Sequence, residues 1–140
     1  MVVTPDCLGS FLVPLTGLIS DQPLITGTSI YRDQLDTQIA DPRLTLHCKP
    51  VSEEVVRPCY FTKEGYRSRN TTVIDHGVLK SFLLTDYGAA KTGLRRAPCD
   101  GGQFVIDAGD TPREALIGNI ERGVLLCRFS GGRPSENGDF

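Results

Sequence analysis

Glycine and proline punctuate this chain so closely that no element of secondary structure is expected to run far. Fifteen glycines and nine prolines fall among 140 residues, and Pro5, Gly9, Pro14, Gly17, Pro23 and Gly27 interrupt the first thirty. Proline removes a backbone donor, and glycine costs conformational entropy inside a helix. Long helices are therefore not expected before residue 40, where the apolar run at 11–15 predicts at most a short helix or strand. The remaining composition is that of a folded chain. Hydrophobic residues make up 39%, charged residues 23%, and the net charge is only −2, a balance that excludes intrinsic disorder. One domain over residues 1–140 is the expectation.

Periodicity places the elements that punctuation leaves room for. Residues 43–49 alternate, with Leu44, Leu46 and Cys48 on one side and Thr45, His47 and Lys49 on the other, the period of a half-buried strand. Residues 70–74 are β-branched, Asp75-His76-Gly77 is turn chemistry, and the strand pattern resumes at Val78. A hairpin over 70–83 follows. Residues 84–93 predict a short helix stopped by Gly93, and 104–106 a strand. Thr111 and Glu114 have capping-box spacing around Pro112, so a helix over 112–122 is expected, with Ala115, Leu116 and Ile120 on one face. After Gly123 a buried strand is expected over 124–129. The fold class is α+β: a β-rich domain with an antiparallel sheet or barrel-like core, one well-signalled helix and further short ones.

Known catalytic patterns are absent from the sequence. His47 and His76 are the only histidines, and neither stands in an H-E-x-x-H spacing. There is no G-x-S-x-G elbow and no phosphate-cradling glycine loop. Asp75-His76 is a neighbour pair without a marked nucleophile, and Glu53-Glu54 reads as a solvated face. The five cysteines, Cys7, Cys48, Cys59, Cys99 and Cys127, are odd in number and form no C-x-x-C. They read as reduced, mostly buried thiols. No metal is expected to bind this chain.

Charge is uneven along the chain. Residues 43–100 carry ten bases against six acids, with Arg67 and Arg69 close together and Lys91, Arg95 and Arg96 close together. A nucleic-acid surface would show a stronger basic excess with interleaved aromatics, so these read as a solvated face and nucleic acid is not an expected partner. The longest early uncharged run, residues 7–20, is shorter than the ~20 residues of a spanning helix. No base precedes Arg32, unlike a signal peptide. Neither a membrane partner nor export is expected, and the predicted location is cytoplasmic. At the other end, Ser130, Gly131, Gly132 and Pro134, then Asn137, Gly138 and Asp139, read either as tight turns or as open backbone that could pair with an extended peptide.

Several blocks resemble the TldD/PmbA family, once described as modulators of DNA gyrase. They are Gly27-Thr-Ser-Ile-Tyr-Arg32, Gly65-Tyr-Arg-Ser-Arg-Asn-Thr-Thr72, Gly77-Val-Leu-Lys-Ser-Phe-Leu-Leu84, Tyr87-Gly-Ala-Ala-Lys-Thr-Gly93, and Gly123-Val-Leu-Leu-Cys-Arg-Phe-Ser-Gly-Gly132 through Asn137-Gly-Asp-Phe140. They lie in family order over nearly the whole chain and resemble part of the family's C-terminal domain. Departures include Leu35-Asp36 and Cys99-Asp100. The resemblance implies a subunit of a cytosolic zinc metalloprotease that degrades or matures unfolded peptides. In that family the TldD-type subunit carries zinc on an H-E-x-x-x-H helix, and the PmbA (TldE-type) subunit lacks that helix. This sequence resembles the PmbA side and has no such helix, so the implied zinc belongs to a TldD-type partner.

The implied partners are a TldD-type subunit or a second copy of this chain, in a homo- or hetero-oligomer, and an unfolded peptide. The residues expected to border the substrate or partner cleft are Arg69, Asn70, Ser130, Gly131, Gly132, Asn137, Gly138 and Asp139, none of them catalytic. The alternatives are a non-enzymatic dimerisation or interaction module and, more weakly, a DNA gyrase modulator.

Overall fold

The structure is a computed structural model that describes residues 1–128. It divides into two compact units, one of residues 18–107 and one that joins residues 1–17 to the segment from Ala108 onward. Among the described residues no helix is long and apolar enough to cross a membrane.

The larger unit is built on an antiparallel four-stranded sheet, β4-β3-β2-β5. Its strands are β2 (Leu46–Cys48), β3 (Thr71–Asp75), β4 (Val78–Leu79) and β5 (Phe104–Ile106). Strand β2 pairs with β3 on one side, across a bulge between Leu46 and His47, and with β5 on the other. The β-branched run of β3 suits a pleated, half-buried surface. Leu46, Cys48, Val73, Ile74 and Leu79 are fully buried and form the core with Ile19, Phe82 and Leu84. This is the α+β, antiparallel arrangement expected from the sequence, and the sheet does not close into a barrel among the described residues.

Two short helices belong to the same unit. Helix α2 (Asp21–Thr26) was not anticipated, and helix α3 (Asp86–Thr92) falls inside the expected 84–93 span. Helix α3 begins at Thr85, whose hydroxyl accepts the Gly88 N–H, and ends at Gly93 in the left-handed conformation with its N–H on the Ala89 carbonyl. These are the N-cap and C-terminal signals that the sequence carries.

The hairpin turn at His76-Gly77 has positive φ at both residues, 46° and 78°, as a two-residue turn between twisted strands requires. The turn is clamped by the segment before β2. The Ile39 and Ala40 N–H groups donate to the Gly77 carbonyl at 2.9 and 3.1 Å, and the Gly77 N–H donates to the Leu44 carbonyl at 2.8 Å. A Cβ on Gly77 would run into the Gln38 amide and the Ala40 and Asp41 carbonyls.

In the smaller unit, β1 (Val2–Val3) pairs in parallel with β6 (Leu125–Leu126). Helix α1 (Pro5–Leu18) starts in this unit, and helix α4 (Arg113–Gly118) lies within it. Three expectations are corrected here. The first forty residues do hold a long helix, the 14-residue α1. Pro5 occupies its first position, where no N–H is needed. Gly9 and Gly17 each lower helix propensity by only about 1 kcal/mol, and Pro14 is carried inside. The helix expected over 112–122 is shorter, because Pro112 itself takes the N-cap position and no side chain caps it. Thr111 and Glu114 therefore form no capping box, and Leu116 and Ile120 are partly exposed. The strand expected over 124–129 is described only at Leu125–Leu126 and is not buried, since it pairs within a two-stranded ribbon. Its last residue, Phe129, lies outside the described residues.

Gly77 and Gly93 share a left-handed backbone but differ in surroundings, since a Cβ on Gly93 meets nothing within 4 Å. Gly93→Ala is expected to cost about 1–2 kcal/mol for the backbone alone. Gly77→Ala carries that cost plus displacement of two carbonyls, so its urea midpoint should fall below that of Gly93→Ala. Equal midpoints would show that the turn is not clamped.

Candidate functional site

Arginines far apart in sequence converge on one cleft. The chain enters β3 through Ser68, whose N–H donates to the Tyr60 carbonyl at 2.8 Å, and Arg69, whose N–H donates to the Pro98 carbonyl at 3.0 Å. That second bond ties the start of the hairpin to the segment after α3. Arg67 and Arg69 are thereby set beside Arg95 and Arg96, and with Tyr66 and Pro98 they line a cleft of about 430 Å³. A neighbouring hollow of about 330 Å³ shares Arg95, Arg96 and Pro98 and adds Asp36 and Lys80, which pair at 2.9 Å.

The four guanidinium groups are not equivalent. Arg96 Nε pairs with Asp86 Oδ1 at 3.1 Å, and its guanidinium stacks 4.0 Å from the Tyr66 ring centroid, a cation–π contact worth about 0.5–1 kcal/mol at an exposed site. The Asp86 carboxylate also accepts from the Tyr66 hydroxyl, which holds that phenol above its ordinary value; the nearby Arg96 charge opposes the shift. Arg96 is thus fixed and largely neutralised. Arg67, Arg69 and Arg95 make no ion pair among the described residues. Their charges remain available to an anion, which planar guanidinium groups recognise through paired N–H donors.

The candidates named from sequence divide three ways. Arg69 lies in the cleft. Asn70 does not line it, and its Oδ1 accepts the Val51 N–H at 3.1 Å, holding the loop that follows β2. Ser130, Gly131, Gly132, Asn137, Gly138 and Asp139 lie outside the described residues. Arg67, Arg95 and Arg96, which the sequence presents as a solvated face, line the cleft with Arg69. Their signal in the sequence was two basic pairs, at 67/69 and 95/96, and nothing local shows that the pairs meet. Lys91, grouped with the second pair by position, lines a different hollow and sits 5.7 Å from the Tyr87 ring centroid.

The described residues do not offer a zinc site. The His47 ring bridges strands, with Nδ1 3.0 Å from Thr72 Oγ1 and Nε2 3.1 Å from Asp107 Oδ1, so both of its nitrogens are engaged. His76 Nδ1 lies 2.8 Å from Asp75 Oδ1 in the hairpin turn. No three His, Cys, Asp or Glu side chains gather as a ligand set among the described residues.

Because Tyr66 is held up chiefly by Asp86, its titration reports the geometry of the cleft. In a phenol absorbance titration Tyr66 should ionise above the ordinary 10.0. Asp86→Asn should bring it back toward that value, and Arg96→Ala should move it further up. A raised folded-state value means that the Tyr66–Asp86 contact is intact at neutral pH. It is lost as pH climbs through that value.

A model of the PmbA/TldA metallopeptidase C-terminal domain matches residues 1–140. The zinc metalloprotease TldD homolog of Saccharolobus solfataricus is 26% identical, over 100% of this chain and 34% of its own length. Metalloprotease PmbA of Escherichia coli O157:H7 is 34% identical, over 83% of this chain and 28% of its own. A crystal structure of a candidate modulator of DNA gyrase from Bacteroides thetaiotaomicron superimposes with a TM-score of 0.85 at 30% identity, covering 95% of this chain and 30% of that one. TldE from Thermococcus kodakarensis shares the fold, with a TM-score of 0.79 at 24% identity, covering 93% of this chain and 32% of that one. The chain spans about a third of the length of the curated relatives it matches.

Proposed function

The chain belongs to the PmbA/TldA metallopeptidase C-terminal domain family, and from that premise we propose that it is the PmbA (TldE)-type part of a cytoplasmic metalloprotease acting on unfolded peptides. In this reading zinc resides in a TldD-type partner subunit. This chain performs no bond chemistry and supplies a surface that holds peptide or partner. The observation that carries the reading is the cleft of Arg67, Arg69, Arg95 and Arg96, three of whose guanidinium groups have no ion pair among the described residues. An unfolded peptide offers an acidic side chain or its terminal carboxylate to such a cleft, and clustered charge of one sign raises local substrate concentration. Ser130, Gly131, Gly132, Asn137, Gly138 and Asp139 remain candidates for backbone pairing with the same peptide.

The full-length subunit, reconstituted with a zinc-bearing partner, tests this. Charge-assisted hydrogen bonds contribute about 1.5–3 kcal/mol each, so Arg69→Ala with Arg95→Ala should raise KM for peptides with acidic ends about tenfold or more. Turnover of neutral peptides, zinc content and folding should stay unchanged. Loss of co-elution with the partner, with peptide KM retained, would reassign the cleft to the subunit interface. No change in either would remove it from function.

A further inference from the structure

Cys48 and Cys99 are 51 residues apart in sequence, yet their sulfurs lie 2.7 Å apart in the interior. Both are free thiols, with exposures of 0% and 4%. Cys48 closes β2, the strand paired on both sides, and Cys99 lies in the segment between α3 and β5. The backbone is pinned next to each. The Lys49 N–H donates to the Gln103 carbonyl at 2.8 Å, and the Pro98 carbonyl accepts the Arg69 N–H. The separation lies between the ~2.05 Å of a disulfide bond and an ordinary non-bonded sulfur contact, so the two side chains already face each other.

We propose that Cys48 and Cys99 form a dithiol site that hydroperoxides oxidise to an intramolecular disulfide. The two sulfurs are chemically unequal, as such a site needs. Contact with Cys48 holds the Cys99 thiol below its ordinary value, against the opposing effects of burial and of the neighbouring Asp100 carboxylate. The same contact with Cys99, reinforced by burial, drives Cys48 the other way. A cleft of about 400 Å³ runs beside the pair, lined by Pro50, Asp100, Gly101, Gly102 and Gln103 and by the Cys59 thiol; Cys48 and Cys99 themselves lie behind its wall. The inference stands independently of the peptide-holding reading.

The steps balance. The Cys99 thiolate attacks one peroxide oxygen, the O–O bond breaks, and the other oxygen leaves with the electron pair and takes up a proton as water. This gives a sulfenic acid on Cys99. The Cys48 sulfur then forms the S–S bond at Cys99, and the sulfenic oxygen departs with the Cys48 proton as a second water. Two thiols lose two electrons in total and hydrogen peroxide gains them. With the second thiol already in contact, disulfide formation outruns a second oxidation of Cys99.

The test uses the full-length protein, reduced, then exposed to hydrogen peroxide, denatured in the presence of iodoacetamide so that buried thiols are alkylated, and digested without reduction. The expected result is a peptide joined through Cys48 and Cys99, lighter by two hydrogen atoms than its reduced parts and released by dithiothreitol. The joined peptide should persist in Cys59→Ser, whose parent thiol donates to the Phe61 carbonyl at 3.1 Å. It should vanish in Cys99→Ala. Should that variant fail to fold, the wild-type digest decides alone. Exposed Cys127 is its internal control. Oxidation of Cys127 while Cys48 and Cys99 remain fully alkylated would overturn the proposal, as would build-up of sulfinic acid on Cys99 without the joined peptide.

Discussion

Strand β2 carries the larger unit, although it is only three residues long. It is hydrogen-bonded on both sides, and its ends are extended by the Lys49 N–H on the Gln103 carbonyl and the Asp107 N–H on the Thr45 carbonyl. A strand with both edges paired leaves no backbone group to be satisfied by water, so its side chains can be buried without an unpaired donor or acceptor beneath them. Leu46 and Cys48 are accordingly inaccessible, packed with Val73, Ile74 and Leu79. Each large aliphatic side chain so buried stabilises the fold by roughly 1.5–3 kcal/mol. The bulge at Leu46/His47 lets His47 reach Thr72 on one neighbour while its other nitrogen reaches Asp107 beyond β5.

The helices of this unit are joined by a different kind of constraint, one of polar contact and close approach. Asp21, in the first turn of α2, accepts the Thr85 N–H at 2.9 Å and the Thr85 hydroxyl at 2.5 Å. Thr85 in turn caps α3. The carboxylate therefore sits against the first turn of α3, where the helix dipole also favours negative charge. Only a residue without a side chain can stand at position 88, since a Cβ there would meet the Asp21 carboxylate and the Leu84 side chain. Three residues thus fix the approach of two helices that are each too short to persist alone.

What the sequence made legible was local. The alternation through Leu46 and Cys48, the β-branched Thr71–Asp75, the His76-Gly77 turn and the Gly93 stop each declare their conformation through their own chemistry, and each forms where expected. The misreadings came from weighing local signals without tertiary context. Pro14 reads as a helix breaker and is carried inside α1, while Thr111 and Glu114 have the spacing of a capping box that Pro112 displaces. Of the four arginines that line the cleft, the sequence singles out Arg69 alone as a cleft residue. Nothing in the run Gly93-Leu-Arg-Arg-Ala-Pro-Cys announces that it will lie against residues 66–69. That contact depends on the Arg69–Pro98 hydrogen bond between segments 29 residues apart. The meeting of Cys48 with Cys99 is equally non-local.

The segment from Arg95 to Gln103 has no helix or strand of its own, yet it is bound at nearly every step. The Ala97 N–H donates to the Leu84 carbonyl at 2.8 Å, Pro98 accepts from Arg69, Asp100 Oδ2 accepts the Lys63 N–H at 2.7 Å, and Gln103 accepts from Lys49. Ala97 and Cys99 are buried while Arg95 and Asp100, on either side of them, are exposed. Arg95 and Arg96 are therefore carried on a backbone already ordered by four separate partners. A ligand that meets them has less loop entropy to overcome than it would at a free loop, and such preorganisation converts contacts into affinity. The same bonds hold the Cys99 sulfur against Cys48. One irregular segment, fixed from β2, the start of β3 and the start of α3, thus sets the geometry of both the basic cleft and the thiol pair.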